Sequence, residues 1–143
     1  MASLTENNMY HSLREVVELY ATLTFNSSWG IISSEGYGQL TFNVDSADNQ
    51  VAIRLTQGFP RILSVFAASI ETTGDPNEPI TWLQSPYLLT DSAFNTLGAG
   101  DATNAVAGTT IVLTRFVGST SIAPEQNETL NVRILLLNTT VTP

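Results

Sequence analysis

Few side chains in this sequence are of the types that perform acid–base or nucleophilic chemistry. The chain of 143 residues has no cysteine and one histidine, His11. Glu15 and Glu18 stand near it, but on a helix they would fall off the apolar stripe, which is typical of a solvated face. A serine–histidine–acid triad would depend on His11 alone, and a polysaccharide hydrolase would need a dedicated carboxylate pair. The residue types therefore predict a protein that is not an enzyme.

Two acidic segments carry oxygen atoms that could bind a cation. They lie at residues 45–49 and 75–78. Neither has the glycine and the distal glutamate of a calcium-binding loop. Asp and Asn are also common in tight turns, because their side chains bond to their own backbone. Turn formation explains both segments, and we expect no metal or other cofactor.

The charge of the chain argues against nucleic acid as a partner. The net charge is -8, lysine is absent, and the five arginines are scattered. A phosphate-binding surface needs several basic side chains on one face. Charged residues make up only 13% of the chain, about half of the roughly 25% that is usual in soluble domains. We therefore expect part of the surface to be buried against other copies or a larger assembly.

The sequence shows no signal that would direct the chain to a membrane or a secretory route. Its N-terminus lacks the basic start and uninterrupted apolar core of a secretory signal, and no window reaches the ~18 apolar residues of a membrane span. We expect synthesis without a signal peptide and no membrane association. The Asn-x-Ser/Thr triplets at Asn26, Asn127 and Asn138 are then expected to stay unmodified.

The N-terminal stretch has the periodicity of a helix. Its apolar residues recur at spacings of four, three, one and three, which places them on one stripe of a helix from about residue 4 to residue 20. Ser3 and Glu6 have the spacing of a capping box at its start. We predict a helical arm over residues 1–22 that packs on the sheet or inserts into a neighbouring subunit. Its stripe is Met9, Leu13, Val16, Val17 and Tyr20.

After residue 20 the apolar period changes to two, and β-branched and aromatic residues become frequent. Residues 45–49 indicate a hairpin connection, and the last segment is apolar on both sides, which predicts a central or doubly covered strand. Residues 23–143 are therefore predicted to form one all-β domain, an antiparallel β-sandwich for which a jelly roll is one known form. The predicted strands are residues 21–25, 29–33, 38–44, 51–56, 62–70, 80–83, 110–117 and 129–138.

Two regions are predicted to be loops. Residues 71–79 contain two prolines and a glycine, which is typical of an exposed turn-rich connection. Residues 87–108 contain glycines among small residues and have no clear period. A loop of that length in a compact domain usually has a function. We expect it to contact another subunit or a ligand, with Tyr87 and Phe94 as interface residues.

Aromatic residues at loops and strand ends leave two interpretations open. Their ring faces could stack on sugars, with nearby Asp and Asn bonding to hydroxyl groups, or they could fill the core or an oligomer interface. The candidates for sugar stacking are Trp29, Tyr37 and Trp82.

A segment at residues 57–67 carries a resemblance to a known class of proteins. It reads Gln-Gly-Phe-Pro-Arg-Ile-Leu-Ser-Val-Phe-Ala and is followed by a turn-rich loop and by Ile80-Thr81-Trp82. This order resembles small β-sandwich modules of bacteriophage virion proteins, including capsid decoration proteins and the head domains of tail fibres. The resemblance covers about a fifth of the chain. It implies an all-β module that works as a symmetric oligomer, most often a homotrimer, attached to the virion.

These observations lead to one expected function and one alternative. We expect a virion structural protein that decorates or stabilises a bacteriophage capsid, with its own copies and the major capsid protein or another virion protein as partners. The helix stripe and the loop at residues 87–108 would make the contacts. The alternative is a receptor-binding or carbohydrate-binding module of a phage tail fibre.

Overall fold

A computed structural model describes residues 16–36, 39–70 and 79–138. Within these ranges the chain is all-β and contains no helix, and every strand pair is antiparallel. The strands are β1 (Val16–Phe25), β2 (Ile31–Gly36), β3 (Leu40–Asp45), β4 (Gln50–Leu55), β5 (Arg61–Ile70), β6 (Ile80–Gln84), β7 (Leu88–Thr90), β8 (Thr96–Ala99), β9 (Thr109–Val117), β10 (Thr120–Ser121) and β11 (Thr129–Leu137).

The strands form two sheets. Sheet A has four strands in the order β2-β1-β11-β5, and sheet B has the order β3-β4-β9-β7-β8, with β6 and β10 also paired to β9. One edge of β9 is occupied by β4. On its opposite edge β6 pairs with residues 113–117 and β7 with residues 109–110, so these two strands lie end to end. The long strands β11 and β9 are therefore the central strands of the two sheets.

The two sheets share one hydrophobic core, which gives a sandwich-like arrangement. In β1 and β11 every second side chain is buried, and the same alternation occurs in β4. Each fully buried Leu, Ile or Phe side chain contributes about 1.5–3 kcal/mol relative to exposure. Sheet A contributes Leu19, Leu23, Phe25, Leu130, Val132, Ile134 and Leu136 to this core, and sheet B contributes Leu40, Val51, Ile53, Leu55, Ile111 and Leu113.

A buried polar network joins the two sheets beside this core. Arg115 of β9 donates from Nε to Glu128 Oε2 at 2.8 Å, and its Nη1 donates to the carbonyls of Ile122 and Ala123 at 3.1 and 3.0 Å. Ser69 of β5 donates to the same Glu128 oxygen at 3.1 Å. Both charges are thus held by several partners, which offsets the cost of removing them from water.

The predicted strands agree closely with the observed ones. Each of the eight predicted strands overlaps an observed strand, and β11 is central as predicted. The hairpin prediction for residues 45–49 is confirmed, because Asp45 pairs with Gln50 and its Oδ1 accepts from the backbone N–H groups of Ala47 and Asp48 at 3.0 and 3.3 Å. The short strands β7, β8 and β10 were not predicted.

The helix prediction is wrong for the part that the structure describes. Residues 16–20 belong to β1, where Val16 and Tyr20 face away from the core and Val17 packs against it. The three residues therefore do not share a face. Val17 instead begins the period-two alternation that continues through Leu19 to Phe25, and pairing with β11 favours the strand. Residues 16–22 thus belong to sheet A, and Met9 and Leu13 lie outside the described residues.

Candidate functional site

Three large side chains form a row across the outer face of sheet A. Tyr20 pairs with Arg133, and Arg133 pairs with Phe66. Directly paired residues point to the same side of a sheet, and strands lie about 4.8 Å apart, so the Cα atoms of Tyr20 and Phe66 are about 10 Å apart. Tyr20 is 52% exposed and Phe66 is 60% exposed. Two aromatic side chains with an arginine between them are therefore presented to the solvent.

An ion pair fixes the orientation of the central arginine. Arg133 Nε donates to Glu18 Oε1 at 2.7 Å, and the Nη2 of the same side chain lies 2.6 Å from that oxygen. Glu18, Phe66 and Arg133 also line a shallow depression of about 260 Å³ together with Ser64 and Leu135. An exposed ion pair adds little stability. Its main effect is to direct the Arg133 guanidinium toward Glu18 along the outer face of sheet A.

The free edge of β5 borders this face. Among the described residues, β5 pairs only with β11, so the edge of a strand of 10 residues is left without a strand partner. Arg61 is its only charged residue, and both Leu63 and Phe66 are exposed. Edge strands of this kind can pair with another chain unless charge or proline protects them. We call the residues Glu18, Tyr20, Leu63, Phe66 and Arg133 the Tyr20–Phe66 face.

The structure separates the residues that were predicted to form an interface. Tyr20 lies on the Tyr20–Phe66 face, whereas Tyr87 and Phe94 are half-buried beside sheet B. Tyr87 packs against the core. The sequence-based prediction missed Phe66 and Arg133, because their proximity to Tyr20 depends on strand register.

Of the two interpretations of the aromatic residues, packing in the core holds for Trp29 and Trp82, so these two rings are not available to stack on sugars. They are 3% and 8% exposed, and their rings pack at right angles with centroids 6.0 Å apart. Trp29 Nε1 donates to Asn49 Oδ1 at 2.9 Å, and Trp82 Nε1 donates to Ser69 Oγ at 2.6 Å. Neither ring has a face free for a ligand. The third candidate, Tyr37, lies outside the described residues.

A second concave feature lies on the outer face of sheet B. Its floor contains Ala52 of β4 and Val112 of β9, which are paired. Phe94 lines it from the connection between β7 and β8. The volume is about 180 Å³. We call this feature the Phe94 cleft, and its remaining lining residues are Asn43, Asp45, Gln50, Leu88, Thr90, Thr96 and Thr110.

A tight turn holds Phe94 in an unusual backbone conformation. Its φ is 64°, in the left-handed region that side chains with a Cβ atom rarely adopt. Asp91 Oδ1 accepts from the backbone N–H groups of Ala93 and Asn95 at 2.9 and 3.0 Å. These bonds stabilise the ionised carboxylate. The backbone bond from Asn95 is the largest cause, followed by the Asn95 side chain, and together they lower the pKa of Asp91 below its usual value.

The described residues offer little for catalysis or metal binding. They contain no group of three or more His, Cys, Asp or Glu side chains that could hold a metal ion. Asp45 uses one carboxylate oxygen in its turn, and Glu18 is paired with Arg133. His11 and residues 75–78 lie outside the described ranges. In the same part of the chain, no helix has the length and apolar character that crossing a membrane would require.

Comparison with known proteins identified no relative of this chain. No protein-family model matches the chain, and neither the curated proteins nor the solved structures contain a match.

Proposed function

We propose that this chain is a virion structural protein that decorates or stabilises a bacteriophage capsid through protein–protein contacts. The observation that carries the proposal is the row of Tyr20, Arg133 and Phe66 on the outer face of sheet A, where both aromatic side chains are exposed. Aromatic residues and arginine are enriched in interface cores and dominate binding free energies when they are desolvated there. In this proposal the Tyr20–Phe66 face acts by burying area and performs no reaction.

The strand order supports a finer description of the fold as jelly-roll-like. β1 lies beside β11, the last described strand, while β4 lies beside β9 and β7 forms a hairpin with β8. These pairs are nested one inside another along the chain, as in a jelly roll. Jelly rolls occur in viral capsid proteins and in lectins. Because a fold does not define a function, this likeness supports both the proposal and its alternative.

The proposed assembly is a homotrimer bound to the major capsid protein or another virion protein. The trimer and the location follow from the resemblance of residues 57–67 to phage virion modules. The low charge content of 13% and the free edge of β5 favour burial against other chains. Stable attachment would require about 800 Å² of surface per partner. Repeated copies on a symmetric shell would add avidity.

The experiment is a mass measurement by light scattering, combined with sedimentation of the protein with capsids of its phage. We expect the mass of three chains and cosedimentation. The double variant Tyr20→Ser/Phe66→Ser should fail in at least one assay while remaining folded by circular dichroism. Leu83→Ser is the matched control, because Leu83 is as exposed as Tyr20 but lies on β6 in sheet B. A monomer that does not bind capsids, or a double variant that behaves like the control, would refute the proposal.

The alternative function is a receptor-binding or carbohydrate-binding module of a phage tail fibre. The burial of Trp29 and Trp82 removes two of the three candidates for sugar stacking. The Phe94 cleft favours it instead, because an aromatic ring there faces polar side chains across a concave floor.

A further inference from the structure

The Phe94 cleft contains hydrogen-bonding groups that the fold does not use. The side-chain amides of Asn43 and Gln50 form no hydrogen bond with another described residue. Asp45 uses Oδ1 in its turn, and its Oδ2 bonds to no other described residue. These three side chains come from β3 and β4, on one side of the cleft. They provide both donors and acceptors for a ligand.

The hydroxyls of two threonines of the cleft are already satisfied. The hydroxyls of Thr90 and Thr110 lie 2.8 Å apart, and Thr110 Oγ1 also donates to the carbonyl of Gly108 at 2.9 Å. The hydroxyl groups of Thr90 and Thr110 are therefore already bonded within the protein. On the side of the cleft opposite Phe94, the capacity for polar recognition therefore lies with Asn43, Asp45 and Gln50.

The charge of the lining limits the ligand class. Among the described residues, Asp45 is the only ionisable one that lines the cleft, and no arginine lines it. Arg54 lies on the same face of β4 but directs its Nε–H to the carbonyl of Thr90 at 3.3 Å. A phosphate or a carboxylate would therefore meet the negative charge of Asp45, and none of these lining residues would supply a cation. The lining favours a neutral ligand.

The shape and polarity of the lining also exclude a purely apolar ligand. Such a ligand would cover the amides of Asn43 and Gln50 without satisfying their hydrogen bonds, which costs binding free energy. A ligand ring with an apolar face and hydroxyl groups at its rim would fit both sides of the cleft. Its apolar face would contact Phe94, and its hydroxyl groups would meet the polar side chains opposite. The left-handed backbone at Phe94 adds a second observation, because strained residues of this kind cluster at ligand sites.

We infer that the Phe94 cleft binds one neutral sugar ring. Phe94 packs against the C–H face of the ring, and Asn43, Gln50 and Asp45 bond to its hydroxyl groups. The site lies on sheet B, away from the Tyr20–Phe66 face, and its occupation does not depend on the assembly role proposed above. A single ring in a shallow site should bind with a dissociation constant on the order of millimolar. Several copies in one particle would raise the avidity.

The test is an NMR titration of the ¹⁵N-labelled protein with the methyl glycosides of glucose, galactose, mannose and N-acetylglucosamine. We expect at least one glycoside to shift the side-chain amide signals of Asn43 and Gln50 in a saturable way. Phe94→Asn should weaken that binding about tenfold or more, and Asn tolerates the left-handed backbone, so the turn should persist. Gln84→Ala, which removes an exposed amide on β6 outside the cleft, should bind like the wild type.

Three results would overturn the inference. In the first, none of the four glycosides shifts the amide signals of Asn43 or Gln50. In the second, Phe94→Asn binds as tightly as the wild type. In the third, the shifts map to Tyr20 and Arg133 instead of the cleft. Because the assembly test uses Tyr20 and Phe66 and reads out mass, failure of one proposal is distinguishable from failure of the other.

Discussion

Arg115 and Glu128 form an ion pair that is sealed between the two sheets, with side chains that are 1% and 0% exposed. The chain also contains an exposed pair, Arg133 with Glu18, whose side chains are 62% and 41% exposed. In the buried pair Nε and Nη2 of the arginine bond to different oxygens of the carboxylate, whereas in the exposed pair both nitrogens meet the same oxygen. Since burial decides how much a lone charge costs, the two pairs should respond very differently to the loss of one partner.

The buried pair leads to the first prediction. Glu128→Ala should lower the free energy of unfolding by about 3–5 kcal/mol, because it leaves the Arg115 guanidinium buried without its carboxylate. Urea denaturation followed by fluorescence would measure the loss. The double variant Arg115→Met/Glu128→Leu should recover most of it, since neither charge remains. A loss below about 1 kcal/mol for Glu128→Ala would contradict this account.

How far the sequence alone predicts the fold depends on the length of each strand. Segments of five or more residues with period-two alternation, such as those that became β3 and β4, were predicted correctly. The strands β7 and β8 have only 3 and 4 residues. They exist because residues 88–89 pair with β9 and then turn back, and alternation over so few residues gives no signal. Helical spacing at residues 16–20 was misleading because Val17 and Leu19 also belong to a period-two alternation that continues to Phe25.

The candidate sites were less predictable than the strands. Tyr20, Arg133 and Phe66 are far apart in the sequence, and only the pairing register places them in one row. The burial of Trp29 and Trp82 was equally hidden, because a tryptophan beside a loop fits a core and a binding surface alike. Phe94 was predicted as a contact residue, but its partners across the cleft come from strands that the local sequence does not connect with it.

Two glycines of the segment at residues 87–108 give the second prediction. A Cβ atom at Gly100 would lie 2.6 Å from the carbonyl oxygen of Leu88, whereas a Cβ atom at Gly98 would meet nothing within 4 Å. Gly100→Ala should therefore destabilise the protein by about 1–3 kcal/mol through the forced backbone shift. Gly98→Ala should be neutral or stabilising by up to about 1 kcal/mol, because it restricts the unfolded chain. Thermal unfolding of both variants would check this, and equal effects would refute it.

The turn that carries Phe94 should be sensitive to acid, which is the third prediction. The pKa of Asp91 is lowered below 3.8, first by the backbone bond from Asn95 and then by the side chain of Asn95. Because the folded value lies below the unfolded one, the stabilisation is present above pH about 4 and is lost as the pH falls through the lowered pKa. NMR titration of the Asp91 carboxyl carbon, together with the amides of Ala93 and Asn95, should show one transition below pH about 3.8.

The variant Asp91→Ala provides the control for this turn. It should remove the acid transition from the amide signals of Ala93 and Asn95. Asp101 has a pKa lowered in the same direction, by the hydroxyl and then the backbone N–H of Thr103, and its own turn should titrate unchanged in the variant. A pKa of Asp91 at or above the usual value for aspartate would show that these hydrogen bonds do not form in solution.

The exposed ion pair of Arg133 with Glu18 gives the last prediction. Loss of Arg133 should weaken association but leave the free energy of unfolding almost unchanged. Arg133→Ala should change the free energy of unfolding by no more than about 1 kcal/mol, because an exposed ion pair contributes little. The same variant should weaken association about tenfold or more, since it removes the cation between Tyr20 and Phe66, at the centre of the proposed contact. Arg54→Ala, on β4 in sheet B, is the control and should leave the oligomeric mass unchanged. Light scattering over a dilution series would measure association. An Arg133→Ala protein that loses stability but keeps its oligomeric mass would show that Arg133 supports sheet A and not the interface.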